Sequence, residues 1–258
     1  MNARAAVLQT WRSVAPQRAS LRRRALVVVR SQGEPAQQQQ QQQQQDDPPS
    51  SSSTFLVTAT VGNAAMALAG VGLGNWNGMD VSDQLLGSLP NLPAALACTL
   101  PLAAVCYYAV NSNDPRFAEI EALLKKTLLP QLQALPAWGV CLLALGAGVG
   151  EETLFRGFLQ SYAVDGIQAA APNLTPAAVT GAGIAATSLV FGALHALTPT
   201  YFWFATVGSG LFGLEYLATD LPTAVTTHWL YDWGALVYTL NAWSSEAGGG
   251  GGSNSADA

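Results

Sequence analysis

Six long apolar segments, separated by short polar stretches, occupy residues 54–243. They cover 54–74, 92–110, 136–162, 175–197, 201–218 and 221–243. A bilayer core takes about 20 mostly apolar residues to cross as a helix, so each segment predicts a membrane span. A further stretch, 114–135, has a different pattern. Phe117, Ile120, Leu123, Leu124 and Leu128 recur at helical spacing with charges between them. That pattern predicts an amphipathic helix on the membrane surface. Its acidic end comes first and Lys125 and Lys126 follow, which suits the helix dipole and favours the stromal or cytoplasmic side. The fold expected is all-α: a polytopic membrane helix bundle of about six transmembrane helices plus one amphipathic interfacial helix.

The boundaries carry their own signals. Thr175-Pro176 and Leu221-Pro222 read as helix starts with proline in the first turn, and Asp220 reads as a cap for the last span. Pro101 predicts a kink in the second span. The fourth span is rich in Gly and Ala, which permits close helix contact.

Composition agrees with a lipid environment. Charged residues make up 10% of the chain, well below the roughly 25% of soluble domains. Charge is also unevenly spread. Arg4, Arg12, Arg18, Arg22, Arg23, Arg24 and Arg30 fall within the first 30 positions, ahead of the first acid, Glu34. Residues 1–33 therefore read as an organellar transit peptide. Residues 34–53, with glutamines 37–45, read as a disordered linker, and 244–258 as a flexible Gly-rich tail. The remaining body is acidic, and no basic patch is left to bind nucleic acid. Cys98, Cys106 and Cys141 have no partner at metal-site spacing and read as small buried hydrophobes.

Candidate chemistry lies in the ionisable residues inside the spans: Glu151, Glu152, Arg156, His195, Glu215, His228 and Asp232. A charge at the bilayer centre costs several kcal/mol, so such groups persist where they face one another or a wet cavity. Glu152 and Arg156 are four apart, share a helix face and can pair. Glu151 lies about 100° round the helix, outside that pair. His228 and Asp232 are also four apart, so the carboxylate can orient the imidazole or join it on a metal. Phe191 sits one turn before His195. Each group alone also has a plain reading. Glu151 and Glu152 fit a membrane interface if the third span ends at Gly150, His195 and the His228–Asp232 pair fit structural hydrogen bonding, and Glu215, near its helix end, reads as interfacial.

Taken together the residues resemble a known pattern. "EETLFR" (151–156), "FGALH" (191–195) and "HWLYD" (228–232) resemble, in order, the EExxxR, FxxxH and HxxxN/D motifs of the CPBP family of intramembrane proteases. That family includes the type II CAAX prenyl proteases and proteins like lysostaphin resistance protein A. The resemblance covers about 130–243. It implies that Glu151 and His195 activate the attacking water, that His228 and Asp232 bind the peptide carbonyl or its oxyanion, and that Glu152, Arg156 and Phe191 support the site. CAAX-type members carry Asn where this chain has Asp232, so Asp232 is protonated, orients His228 or ligates a metal. Glu151, His195, His228 and Asp232 also make a donor set for zinc or another divalent ion.

The substrate implied is a membrane-protein or lipid-anchored peptide, met in a chloroplast membrane, either thylakoid or inner envelope. Two other functions use the same residues: a non-catalytic membrane scaffold or chaperone-like homologue, and a small transporter with a buried proton or metal path. Cleavage site and oligomeric state have no signature in the sequence.

Overall fold

Proline and short capping side chains set most of the helix starts. Asn91 accepts from the Ala94 N–H (3.2 Å) and opens the helix that starts at Leu92, while Asp114 accepts from the Arg116 N–H (2.9 Å) and opens the one that starts at Pro115. Thr175 accepts from the Ala178 N–H (3.3 Å) to open the helix from Pro176, and Thr198 accepts from the Tyr201 N–H (3.1 Å) to open the helix from Pro199. Asp220 accepts from the Thr223 N–H (2.9 Å) at the head of the helix from Leu221, as its sequence position predicts. The Arg116 guanidinium, hydrogen-bonded to Asp114, holds that carboxyl down at about 2, so the cap stays ionised above that pH.

The computed structural model describes residues 52–248. The expected transit peptide, nearly all of the glutamine-rich linker and residues 249–258 of the tail lie outside them. Among the described residues the order is α1 (Ser52–Trp76), α2 (Val81–Leu86), α3 (Leu92–Asn111), α4 (Pro115–Thr127), α5 (Leu129–Gln133), α6 (Ala137–Ala170), α7 (Pro176–Leu194), α8 (Pro199–Ala218) and α9 (Leu221–Gly248). Each of the six expected spans is a long helix. Four of them (α1, α3, α6 and α7) are long and apolar enough to cross a membrane. The other two, α8 and α9, have the length but not the hydropathy. Tyr201, Trp203 and Glu215 lower it in α8, and Thr226, Thr227, His228, Tyr231 and Asp232 lower it in α9. Two other details differ from expectation. Helix α9 runs past Trp243 to Gly248, and the short α2, which no periodicity announced, plants a fully buried Val81 against Leu221 and Val225.

Helix α6 is the axis of the bundle, packing on α1 and α9, while α7 packs on α8. Two glycines permit the close approaches that matter for the site. A Cβ on Gly148 of α6 would stand 2.9 Å from the Val225 carbonyl oxygen and 3.1 Å from the Trp229 nitrogen of α9. A Cβ on Gly192 of α7 would overlap Thr206 Oγ1 and stand 2.8 Å from the Phe202 carbonyl oxygen of α8. Gly148→Ala must push α9, and His228 with it, away from α6. We expect it to cost about 1–3 kcal/mol and to depress activity with it, read as a lowered thermal midpoint in detergent beside a cleavage assay.

Candidate active site

Between Thr153 and Gln160, helix α6 widens from α to π winding. A π segment donates each N–H to the fifth residue back and commonly marks a functional site. Glu151 and Glu152 are the last residues of the α part, and Arg156 falls in the π part. The interfacial alternative for the two acids does not describe the fold. Glu152 is fully buried, and "TLFRGFLQ" carries the helix onward beneath α1 and α7.

Glu152 and Arg156 form the expected pair, Nε to Oε2 at 3.0 Å, held by charge rather than by an aligned hydrogen bond. Arg156 Nη2 donates to the Ser209 carbonyl (2.7 Å) and to Ser209 Oγ (2.9 Å) on α8. Nη1 has no hydrogen-bond partner. Instead the guanidinium carbon lies 5.5 Å from the Phe191 and Phe212 ring centroids and 5.9 Å from Phe155. Three ring faces therefore stabilise a desolvated cation that would otherwise be costly.

The other oxygen of Glu152 reaches across to α9, where His228 Nδ1 lies 2.7 Å from Oε1. A carboxylate only accepts, so Nδ1 carries the proton. The imidazole stacks flat on Phe212, centroids 4.6 Å apart and planes within 8°. Its second nitrogen, Nε2, faces Asp232 Oδ2 at 3.4 Å and Glu151 Oε2 at 3.9 Å. On α7, His195 is the residue that closes the helix. Its Nδ1 lies 2.8 Å from the Phe191 carbonyl and must donate to it, which leaves the Nε2 lone pair free. His195 stacks on the Phe191 ring at 4.3 Å, and its Nε2 stands 3.9 Å from Glu151 Oε2. Phe191 therefore positions His195 by ring and carbonyl alike, and its ring also meets Arg156.

Glu151, His195, His228 and Asp232 line one cavity of about 630 Å³. It is mostly apolar and its polar end is this cluster. The amphipathic stretch expected as one helix over 114–135 forms two, α4 and α5, parted at Leu128, and the apolar residues of α4 do not simply rest on lipid. Phe117, Ile120 and Leu124 line the cavity that holds the cluster. The helix is joined to the bundle by Tyr108 edge-on to Phe117 (5.9 Å) and by Lys125 over the Trp243 ring (5.6 Å).

Glu215 is not interfacial. It is 4% exposed and accepts a hydrogen bond from Thr227 Oγ1 (2.5 Å), because the polar face of α8 turns inward on α9. The three cysteines are free and half-buried, and Cys106 lines the cavity. Residues the motifs do not name also hold the site: Ser209 on Arg156, Phe212 on His228, Thr227 on Glu215. Ser209, Phe212 and Glu215 lie three apart on α8, so a helical face mixing polar with apolar residues was their signal in the sequence.

The description "type II CAAX prenyl endopeptidase Rce1-like" belongs to a family model that matches residues 133–234. The segment 133–234, less than half of the chain, is similar to that family. No curated protein and no solved structure matches the chain. The matched segment of this CAAX-protease-like domain holds every residue of the cluster. Its cavity extends beyond the segment, to Leu102, Cys106 and the amphipathic helix.

Among the described residues no group of three or more His, Cys, Asp and Glu side chains is placed to hold a metal. Glu151 stands 3.9 Å from each imidazole, whereas neighbouring ligands on one tetrahedral zinc lie about 3.3 Å apart.

Proposed function

We propose that the protein is an intramembrane endopeptidase that hydrolyses a peptide bond of a membrane-associated protein, with Glu151 and His195 activating the water. The observation that carries this reading is the convergence of Glu151, His195 and His228 at the polar end of one cavity. A separation of 3.9 Å is too long for a hydrogen bond and suits two acceptors sharing a water. Such a water donates one proton toward Glu151 and one toward the free His195 Nε2 lone pair. Its own lone pair is then left for the scissile carbonyl carbon. As the O–C bond forms, Glu151 takes a proton and the carbonyl π pair moves onto oxygen. On collapse the C–N bond breaks, and Glu151 returns that proton to the departing amine. His228, as an imidazolium with its Nδ1–H anchored on Glu152, presents an Nε2–H to the developing oxyanion. Asp232 beside it orients that ring.

The test uses purified protein in liposomes and a quenched fluorescent peptide ending in a farnesylated CAAX sequence, with membrane proteomics of wild type against Glu151→Ala to find natural substrates. Wild type is expected to cleave the peptide, and His195→Ala to lower kcat by about 10²–10⁴-fold with little change in KM. A wild-type protein inert on the peptide, together with a proteome that Glu151→Ala leaves unchanged, sinks the reading in favour of a scaffold. Water activation by side chains alone makes the activity resistant to chelators. Loss on chelation and recovery with zinc assigns the water to a metal instead. The arginine-rich leader places the protein in a chloroplast membrane in this reading. A fluorescent fusion of residues 1–53 that fails to enter plastids refutes that placement.

A further inference from the structure

The oxyanion site has a shortage of donors. Arg156 is buried and is not among the residues lining the cavity, His195 Nδ1 is committed to the Phe191 carbonyl, and His228 Nδ1 to Glu152. That leaves His228 Nε2–H, and an ionised Asp232 next to it accepts only. Oxyanion sites commonly aim more than one donor at the developing charge. Here the second position, where an amide would serve, holds a carboxylate.

Tyr201 fits the gap. It lines the same cavity as Glu151, His195, His228 and Asp232. Its ring lies 6.5 Å from that of His195, and it is stacked parallel to Phe204 (6.2 Å, 10°). Its backbone is fixed by the Thr198 cap. Among the described residues its hydroxyl has no hydrogen-bond partner, so the donor is uncommitted. It also sits in the first turn of a 20-residue helix, whose positive end favours an anion nearby.

We propose that the Tyr201 hydroxyl is the second oxyanion donor of this site, a catalytic residue that compensates for Asp232. It stabilises the tetrahedral oxyanion by hydrogen bond alone and keeps its proton. This rests on the endopeptidase reading above.

The experiment is kinetic, on the full chain in liposomes with the farnesylated CAAX peptide. Tyr201→Phe keeps the ring and removes the hydroxyl. It is expected to lower kcat about 10²–10³-fold, with KM and thermal midpoint unchanged. Tyr231→Phe, the other phenol lining the cavity, is expected to stay near wild type. Asp232→Asn supplies an amide donor, so in that background Tyr201→Phe is expected to cost less than tenfold. A phosphonate analogue of the scissile bond should bind Tyr201→Phe more weakly by the factor lost in kcat. The proposal is overturned if Tyr201→Phe keeps kcat within threefold, if Tyr231→Phe carries the loss, or if the penalty is undiminished in Asp232→Asn. Tyr201→Phe fully active while Glu151→Gln is dead defeats this proposal alone. Glu151→Gln fully active defeats the assignment of the water to Glu151, and wild type inert on the peptide defeats the endopeptidase reading.

Discussion

Glu151→Gln is expected to abolish cleavage and to leave the fold intact. Glu151 makes no hydrogen bond or close ion pair to another side chain, its nearest charged partners being the two imidazole nitrogens at 3.9 Å. Replacing it with the isosteric amide therefore breaks no structural contact. What is lost is the acceptor for the water proton and the acid that returns it to the amine. Loss of a general base costs about 10²–10⁴ in rate, and here the same group also serves as the acid, so the upper end of that range is expected. Steady-state kinetics of the purified variant beside its thermal midpoint checks both halves: kcat collapses and the midpoint holds.

Arg156→Leu has the largest expected effect on stability. The guanidinium is 1% exposed, and removing it leaves Glu152 fully buried with its charge opposed only by His228. Removing one member of a buried pair costs about 3–5 kcal/mol, because the other charge stays desolvated. Ser209 loses its donor as well, and Phe155, Phe191 and Phe212 lose the cation they surround. Arg156→Lys does not repair this, since a single ammonium cannot reach Glu152 and Ser209 in the same fork. Glu152→Gln combined with Arg156→Leu removes both charges and should recover much of the midpoint. It should not recover activity, because His228 then donates to a neutral amide in place of a carboxylate. Thermal unfolding in detergent of the two singles and the double measures the pair.

The helices and motif positions were legible because each rests on local chemistry. Apolar runs set the spans, prolines and capping side chains set their starts, and the four-residue spacings of Glu152–Arg156 and His228–Asp232 put those pairs on common faces. Convergence was not legible. That Glu152 pairs with Arg156 on its own helix and with His228 on another depends on how α6 and α9 meet at Gly148, and no pattern within either helix states it. The π winding of 153–160 was hidden for a similar reason. An i,i+4 pattern reads as α-helix, and the widening falls where the helix packs against α1 and α7. The amphipathic helix was recognised by its apolar stripe, but a stripe does not say whether lipid or a cavity covers it. Glu215 was misplaced because its distance from the helix end outweighed its spacing from Ser209 and Phe212, which put it on the inward face.

The central claim is that Glu151 and His195 act on one shared water. A double-mutant comparison of Glu151→Gln, His195→Ala and the two combined, by kcat on the farnesylated CAAX peptide, tests it most directly. Residues that act as a unit are grossly non-additive, so the double variant is predicted to fall no further than the worse single. Losses that multiply would mean the two groups work in separate steps, and the shared water would have to be abandoned.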